Sequence, residues 1–378
     1  MFKFEGRKIL IISPQSWSHL SISKHHYAKA LSLKNDVWFL NAPEEEWGLK
    51  FKMENVTSYP NLHVIRYSLP LPYSFFFHLR AFYKKVNLFF ISKKMRNITP
   101  LFDVCIDFGN YLLYDNVDFV RAEYKIYFPV DDFEDLKPSM RGSRFAFSVS
   151  DNIIEKFQRQ GRKCYFINHG LSKVFADLAK TRLNSLKKWV RSGRLNIGYA
   201  GNLFIPFIDT RILGNIIKNN PDVMFHFWGS VKYNPDTAWQ VEWYKLLTES
   251  KNVKLYGTVS PEELALMFAD IDAFLLCYKP DNKNYHAENS HKIFEYFSTG
   301  RVIISTPITI YKQSNLFCMS ENNEQFEFTF NDAIQNIEKY NAFEFAKARI
   351  LLSLENEYTR QIERIESVIN KAEKSTIN

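Results

Sequence analysis

Short runs of β-branched and aromatic residues alternate with helix-length stretches along nearly the whole chain, and this rhythm constrains the fold most. It is the pattern of parallel α/β sheets, in which each strand is returned by a crossover helix. In the first half the runs predict strands at 8–13, 37–41, 62–67, 104–108, 125–130, 145–150 and 165–168, with helices notably at 22–34, 78–96 and 152–160. A polar, basic stretch, TRLNSLKKWVRSGR, then reads as a linker. The rhythm restarts with strands at 195–200, 223–228, 253–256, 273–277 and 302–306, and helices at 210–219, 238–248, 261–269 and 290–299. From 343 to about 374 the chain reads as one long helix, with Ile, Leu and Tyr on one side and mixed charges on the other. No repeat of solenoid period is present. The expectation is an α/β fold of two tandem Rossmann-like domains, 1–182 and 193–342, with a helix over 343–378 packing back toward the first. Ligands in such sheets bind at the carboxyl ends of the strands.

Length and composition agree with that division. A chain of 378 residues suits two domains, and 34 Phe with 20 Tyr can fill two cores. Only 13 Gly and 14 Pro exclude a collagenous or low-complexity chain. Four cysteines (Cys105, Cys164, Cys277 and Cys318) stand far apart, forming neither a disulfide framework nor a zinc pattern, which suits a reducing cytoplasm. The apolar run at 9–12 is too short for a signal segment, and no stretch has the ~18 apolar residues of a membrane span. A soluble or peripheral protein is expected.

The net charge of +8 is uneven: residues 1–180 carry 26 basic and 18 acidic side chains, and the remainder carries 23 of each. Within 68–97 six cations (Arg80, Lys84, Lys85, Lys93, Lys94 and Arg96) occur without one acid, interleaved with Phe75, Phe76, Phe77, Phe82, Tyr83, Phe89 and Phe90. Such a helix fits an anionic membrane surface, where rings sit at headgroup depth and cations meet lipid phosphate. It equally fits a core helix with solvated lysines. No motif for nucleic acid accompanies the patch.

The most informative segment is AENSHKIFEYFSTGRVIIST, 287–306. Asn289 or Ser290 suits an N-cap, Gly300 suits the helix end, and Ile293, Phe294 and Phe297 form a buried stripe. Lys292, Glu295 and Thr299 then share another face. A cation in the first turn opposes the helix dipole unless an anion docks there, and Glu295 is placed to accept hydrogen bonds from a ribose diol. A solvated i,i+3 ion pair is the plainer alternative.

The segment resembles the donor-binding helix of GT-B-fold glycosyltransferases, in the variant N-x-x-K-x-x-E-Y-x-x-x-G-x-x-V-I-x-T. Its positions here are Asn289, Lys292, Glu295, Tyr296, Gly300, Ile303, Ile304 and Thr306. Within that family it is most similar to bacterial enzymes of the xanthan glucuronosyltransferase and teichuronic-acid transferase type. Many relatives place a first Glu eight residues before the second; here Ala287 stands there, with Glu288 one position off. The resemblance implies further donor contacts: Gly201 and Asn202 at the diphosphate, Gly229 in the second strand-turn, and the backbone of Thr258 and Val259 at the nucleobase.

Inverting transfer needs a carboxylate to take the acceptor proton. Asp131 and Asp132 follow the predicted 125–130 strand, where the family also carries an Asp-Asp-aromatic motif, and one of them is the expected base. Adjacent acids without a nearby histidine make a poor metal site. Asp270 and Asp272, at a helix-to-strand junction, read as structural. His25 and His26, the latter matching a histidine of the family, are candidates for acceptor or sugar contact, against the plainer reading of helix-start surface residues.

The resemblance thus implies transfer of a hexosyl or hexuronosyl group from a nucleotide sugar, with UDP favoured, to a glycan or lipid-linked acceptor. No cofactor or metal is expected, and the location implied is cytoplasmic, peripheral on the inner membrane face. A nucleotide-sugar epimerase on the same fold, or a non-catalytic binding protein, are the alternatives.

Overall fold

The computed structural model describes residues 1–18, 22–72, 74–98, 101–109, 116–130, 142–191, 193–280 and 289–377. The chain forms two compact units, Met1–His169 with Tyr358–Asn378, and Gly170–Glu357.

The first unit runs β1 (Lys8–Ile12), α1 (Ser23–Leu31), β2 (Asp36–Leu40), β3 (Phe51–Val56), β4 (Tyr59–Tyr67), α2 (Ser74–His78), α3 (Arg80–Ile98), β5 (Phe102–Asp107), β6 (Ala122–Tyr127), β7 (Phe145–Ser148), α4 (Asp151–Gln158) and β8 (Tyr165–Phe166). Among the described residues its strands make one eight-stranded sheet in the order β3-β4-β2-β1-β5-β6-β7-β8. Every pairing is parallel except β3 with β4. Alternation along β1 fills both faces of the sheet: Ile9 and Ile11 pack with Tyr27, Ala28 and Leu31, whereas Leu10 and Ile12 pack with Tyr83, Ile91 and Met95.

The second unit runs α5 (Lys173–Asn184), β9 (Leu195–Ala200), α6 (Thr210–Asn219), β10 (Val223–Trp228), α7 (Ala238–Glu249), β11 (Val253–Gly257), α8 (Pro261–Met267), β12 (Ala273–Leu276), α9 (Lys292–Phe297), β13 (Val302–Ser305), β14 (Phe317–Met319), α10 (Phe326–Gln335), α11 (Ile337–Tyr340) and α12 (Phe343–Glu355). The last helix, α13 (Tyr358–Ile377), belongs to the first unit. The second sheet is wholly parallel, in the order β11-β10-β9-β12-β13-β14. That is the doubly wound order, reversing direction between its first and fourth strands, here β9 and β12.

Several details depart from the sequence expectation, among them α10 and α11, which have no predicted counterpart. The stretch 181–194 is not a free linker: α5 runs to Asn184, burying Phe175, Ala176 and Ala179, and Trp189 is buried with its indole N–H donating to Asp272 Oδ1 at 3.2 Å. The division therefore falls at His169, ahead of α5. The helix expected from 343 is two helices, because Asn356 closes α12 and Glu357 bridges to Leu171. Tyr358, Ile362, Ile365 and Ile369 then form the stripe of α13 that enters the core of the first unit. Strands β3 and β14, both at sheet edges, have no counterpart among the predicted ones.

Candidate functional site

The switch point of the second sheet gathers most of the predicted donor residues. Gly201 follows β9 and Gly229 follows β10, with backbone φ of +149° and +135°, values that L side chains rarely adopt. Gly201 N–H donates to the Trp228 carbonyl and Gly229 N–H to the Gly257 carbonyl, each at 2.7 Å. A Cβ on Gly229 would stand 2.0 Å from the Gly201 carbonyl oxygen, so the two turns lie backbone against backbone. A Cβ on Gly201 would stand 2.6 Å from Lys292 Nζ. The space that this glycine leaves is taken by an ammonium group.

Helix α9 holds that ammonium in place. Ile293, Phe294, Tyr296 and Phe297 are buried. The Tyr296 hydroxyl accepts from Ala200 N–H at 2.8 Å and donates to the Ala200 carbonyl at 3.3 Å, and its ring stacks on Phe274 at 4.1 Å. One tyrosine thus ties the helix to the end of β9. At the other end the buried Arg349 donates to the Gly300 carbonyl at 3.1 Å and to the Leu316 carbonyl at 2.8 Å.

Lys292 is itself buried. Its Nζ donates to the hydroxyls of Tyr199 and Tyr278, both at 3.2 Å, and lies 4.8 Å from the Tyr199 ring centroid. Burial alone opposes the charge; the oxygens of Tyr199, Tyr278 and Tyr296 turn the shift upward, so Lys292 is an ammonium at neutral pH. Burial raises the Tyr199 pKa, keeping its hydroxyl neutral and able to accept. Glu295, half-buried one turn on, is pushed up to about 7 by burial, with Lys292 pulling the other way. Sequence reasoning named Lys292 and Glu295 but not Tyr199 or Tyr278. The available signal was a phenol at the end of each strand flanking the switch point.

The remaining donor candidates lie in the turns after β9 and β11 and just before α9. Asn202 is exposed, and its Oδ1 accepts from Phe204 N–H at 2.9 Å, closing the turn after Gly201. Thr258 is exposed and Val259 half-buried in the turn after β11, directly before the Ser260–Glu263 capping box of α8. Asn289 and Ser290 are half-buried, but neither is the N-cap: α9 starts at Lys292, with His291 at the cap position. The Ser290 carbonyl accepts from Ile293 N–H at 3.2 Å, so 290–293 is a turn leading into a six-residue helix. So short a helix has little dipole, and the charge on offer is that of Lys292.

Asp272 is structural: Asn196 N–H donates to its Oδ2 at 2.9 Å and the Trp189 indole to its Oδ1. Among the described residues, no group of three or more His, Cys, Asp or Glu is arranged to hold a metal ion.

In the first unit, His25 is buried between Trp17 and Phe39. Its Nδ1 accepts from Ile22 N–H at 3.1 Å, which leaves Nε2 to donate to the Ser16 carbonyl at 3.1 Å. Burial lowers its pKa to about 4, so the ring is neutral and ties the loop after β1 to α1. His26 is half-buried and stacks on Tyr358 at 5.1 Å. Asp131 and Asp132, like Ala287 and Glu288, lie outside the described residues.

No protein-family model matches the chain, and no curated protein matches it. Solved structures do. The α,α-trehalose 6-phosphate synthase of Burkholderia multivorans superposes with a TM-score of 0.68 at 10% identity, over 98% of this chain and 100% of that one. Sucrose-phosphate synthase of Thermosynechococcus elongatus gives 0.66 at 10% identity, over 98% and 100%. HepE of Anabaena in complex with UDP-glucose gives 0.64 at 12% identity, over 97% and 100%. These neighbours are GT-B glycosyltransferases, and the likeness establishes the fold: an α/β chain of two parallel-sheet units of the GT-B type.

Proposed function

We propose that this chain is a glycosyltransferase that takes a sugar from a nucleoside diphosphate sugar, UDP-linked in the first instance, and passes it to a glycan or lipid-linked acceptor. The observation that carries the reading is the ammonium of Lys292, buried against Gly201 at the switch point of a doubly wound sheet. A fixed positive charge beside two glycine turns suits a diphosphate, which needs both charge and close backbone approach. In this reading Lys292 balances the charge of the leaving diphosphate, with Gly201, Asn202 and Gly229 beside it. Asn289 and Ser290 border it, the backbone of Thr258 and Val259 meets the base, and Glu295 receives the ribose. Asp132, or its neighbour Asp131, takes the acceptor proton. The transfer of a hexosyl or hexuronosyl group proceeds without a metal, Lys292 supplying the positive charge. The bound complex of the Anabaena neighbour with UDP-glucose supports the choice of donor. The site of action is the cytoplasmic face of the membrane, with the protein held peripherally.

Replacing Lys292 by Ala should weaken UDP binding more than tenfold, or about 1.4 kcal/mol, by titration calorimetry. Affinity equal to the parent's in a variant that melts normally would remove the reading.

A further inference from the structure

We infer that α2 and α3 present a mixed aromatic and cationic face to an anionic lipid surface. The inference deepens the membrane part of the proposed function and does not depend on its catalytic part.

Helix α3 has apolar residues on both sides, which is why periodicity alone assigns it no face. Tyr83, Asn87, Ile91 and Met95, spaced four apart, are buried, and Tyr83, Ile91 and Met95 join the core that includes Leu10 and Ile12. That side is occupied. On the other side Phe82, Lys85, Phe89, Lys93 and Arg96, spaced three or four apart, are all exposed. Phe82 is 53% exposed and Phe89 69%; from α2, Phe77 is 72% exposed, and Leu79 next to it is 53%. Arg80 adds a guanidinium 5.1 Å from the Phe76 ring centroid. Two of the expected cations are not part of the face: Lys84 is buried, and Lys94 is half-buried with Nζ 5.7 Å from the Phe90 ring centroid.

The composition of the face selects its partner. Several large rings exposed together are costly and mark an interaction surface. Here cations alternate with them, and 68–97 contains no acid that could serve as a counter-charge. A second copy docking the same face would set cation against cation. A bilayer with anionic headgroups meets both demands, since the rings enter the interface while Arg80, Lys85, Lys93 and Arg96 remain at phosphate level. Among the described residues no helix is long and apolar enough to cross a membrane, so the contact is one of surface and not of span.

The test is co-sedimentation of the full chain with phosphatidylcholine vesicles, with and without phosphatidylglycerol. The parent should sediment only with the anionic vesicles, and less as salt rises. The triple change Lys85→Gln, Lys93→Gln, Arg96→Gln should lower partitioning roughly a hundredfold, at about fivefold per cation. The change Phe77→Ser, Phe82→Ser, Phe89→Ser should lower it at every salt concentration, since the ring contribution is not screened. UDP affinity should be unchanged in both variants, which excludes unfolding as the cause. Vesicle binding equal to the parent's in both variants, or no binding by the parent, overturns the inference. So does a dimer in sedimentation velocity that the Phe variant dissolves while vesicle binding persists. Vesicle binding without UDP binding would leave this face standing and remove the catalytic reading.

Discussion

The two glycines of the cradle give a test that separates the fold from the charge it holds. Both sit at positive φ well outside the left-handed helical region, so alanine at either carries a backbone penalty of about 1–3 kcal/mol. Beyond that the two differ in what the new methyl group meets. At Gly229 it meets the carbonyl oxygen of Gly201 at 2.0 Å and the carbonyl carbon at 2.6 Å, and backbone cannot step aside without disturbing β9. Overpacking of this kind costs a further ~1–3 kcal/mol. For a domain of roughly 200 residues each kcal/mol lowers the melting point by about 2–4 °C, so Gly229→Ala should lower it by about 4–24 °C. At Gly201 the methyl group meets Nζ and Cε of Lys292 at 2.6 and 2.7 Å and the Tyr199 hydroxyl at 3.1 Å, and the lysine end can yield only by leaving the phenols that hold it. Gly201→Ala should therefore cost the backbone term, about 2–12 °C, together with the two phenol hydrogen bonds that the displaced ammonium gives up. Scanning calorimetry reads the first effect and titration with UDP the second. Gly201→Ala should bind UDP as poorly as Lys292→Ala does while its sheet still forms and melts cooperatively. Should Gly201→Ala bind like the parent while Lys292→Ala does not, the posture of Lys292 over Gly201 is not the one that binds the diphosphate. A melting point for Gly229→Ala equal to the parent's would refute the backbone packing itself.

Glu295 gives a pH dependence of definite sign. Its folded pKa of about 7 lies above the ordinary value of 4.5, so the native state keeps a proton that the unfolded chain has released. Stability should therefore fall as pH rises between those values, and Glu295→Gln should flatten that fall in urea melts taken across the window. If the ionised carboxylate receives the ribose diol, UDP-glucose should bind more tightly as pH rises through about 7, and the rise should vanish in the same variant. The diphosphate diester of UDP-glucose has no proton to lose there, so an unchanged slope in Glu295→Gln would assign the titration elsewhere. For the base, Asp132→Asn, or failing that Asp131→Asn, should lower transfer by about 10²–10⁴-fold while leaving UDP affinity alone. Parental rates in both would place the base elsewhere or make the reaction retaining, and the anomeric configuration of the product, read by NMR, distinguishes the two.

The strands that the sequence made legible are those buried on both faces. KILII, LNIGYA and VMFHFW are nearly continuous apolar runs, and they lie in the interiors of the two sheets. FKMENV, at an edge, is mostly open to solvent and carries two charges, so its pattern is that of a loop until β4 is beside it. The basic stretch after α5 misled in the opposite way: one tryptophan anchors it, and a single residue leaves no periodicity to read.

The same contrast between local and non-local information explains the site. Spacing on one helix put Lys292, Glu295 and Thr299 on a shared face, and it predicted the first two correctly as neighbours. It could not show that the Thr299 hydroxyl turns inward to donate to the Tyr296 carbonyl at 2.6 Å, closing the helix instead of facing a ligand. Nor could it show that the lysine's oxygen partners come from strand ends 93 and 14 residues away. Yet a lysine next to Ile293 and Phe294 is itself a demand. A buried ammonium needs acceptors that stay neutral themselves, or the site would have no charge left to offer an anion. Phenols meet that condition where carboxylates do not. With Tyr199 and Tyr278 as partners, Lys292 is held in place without being neutralised, and its charge remains available to an anion.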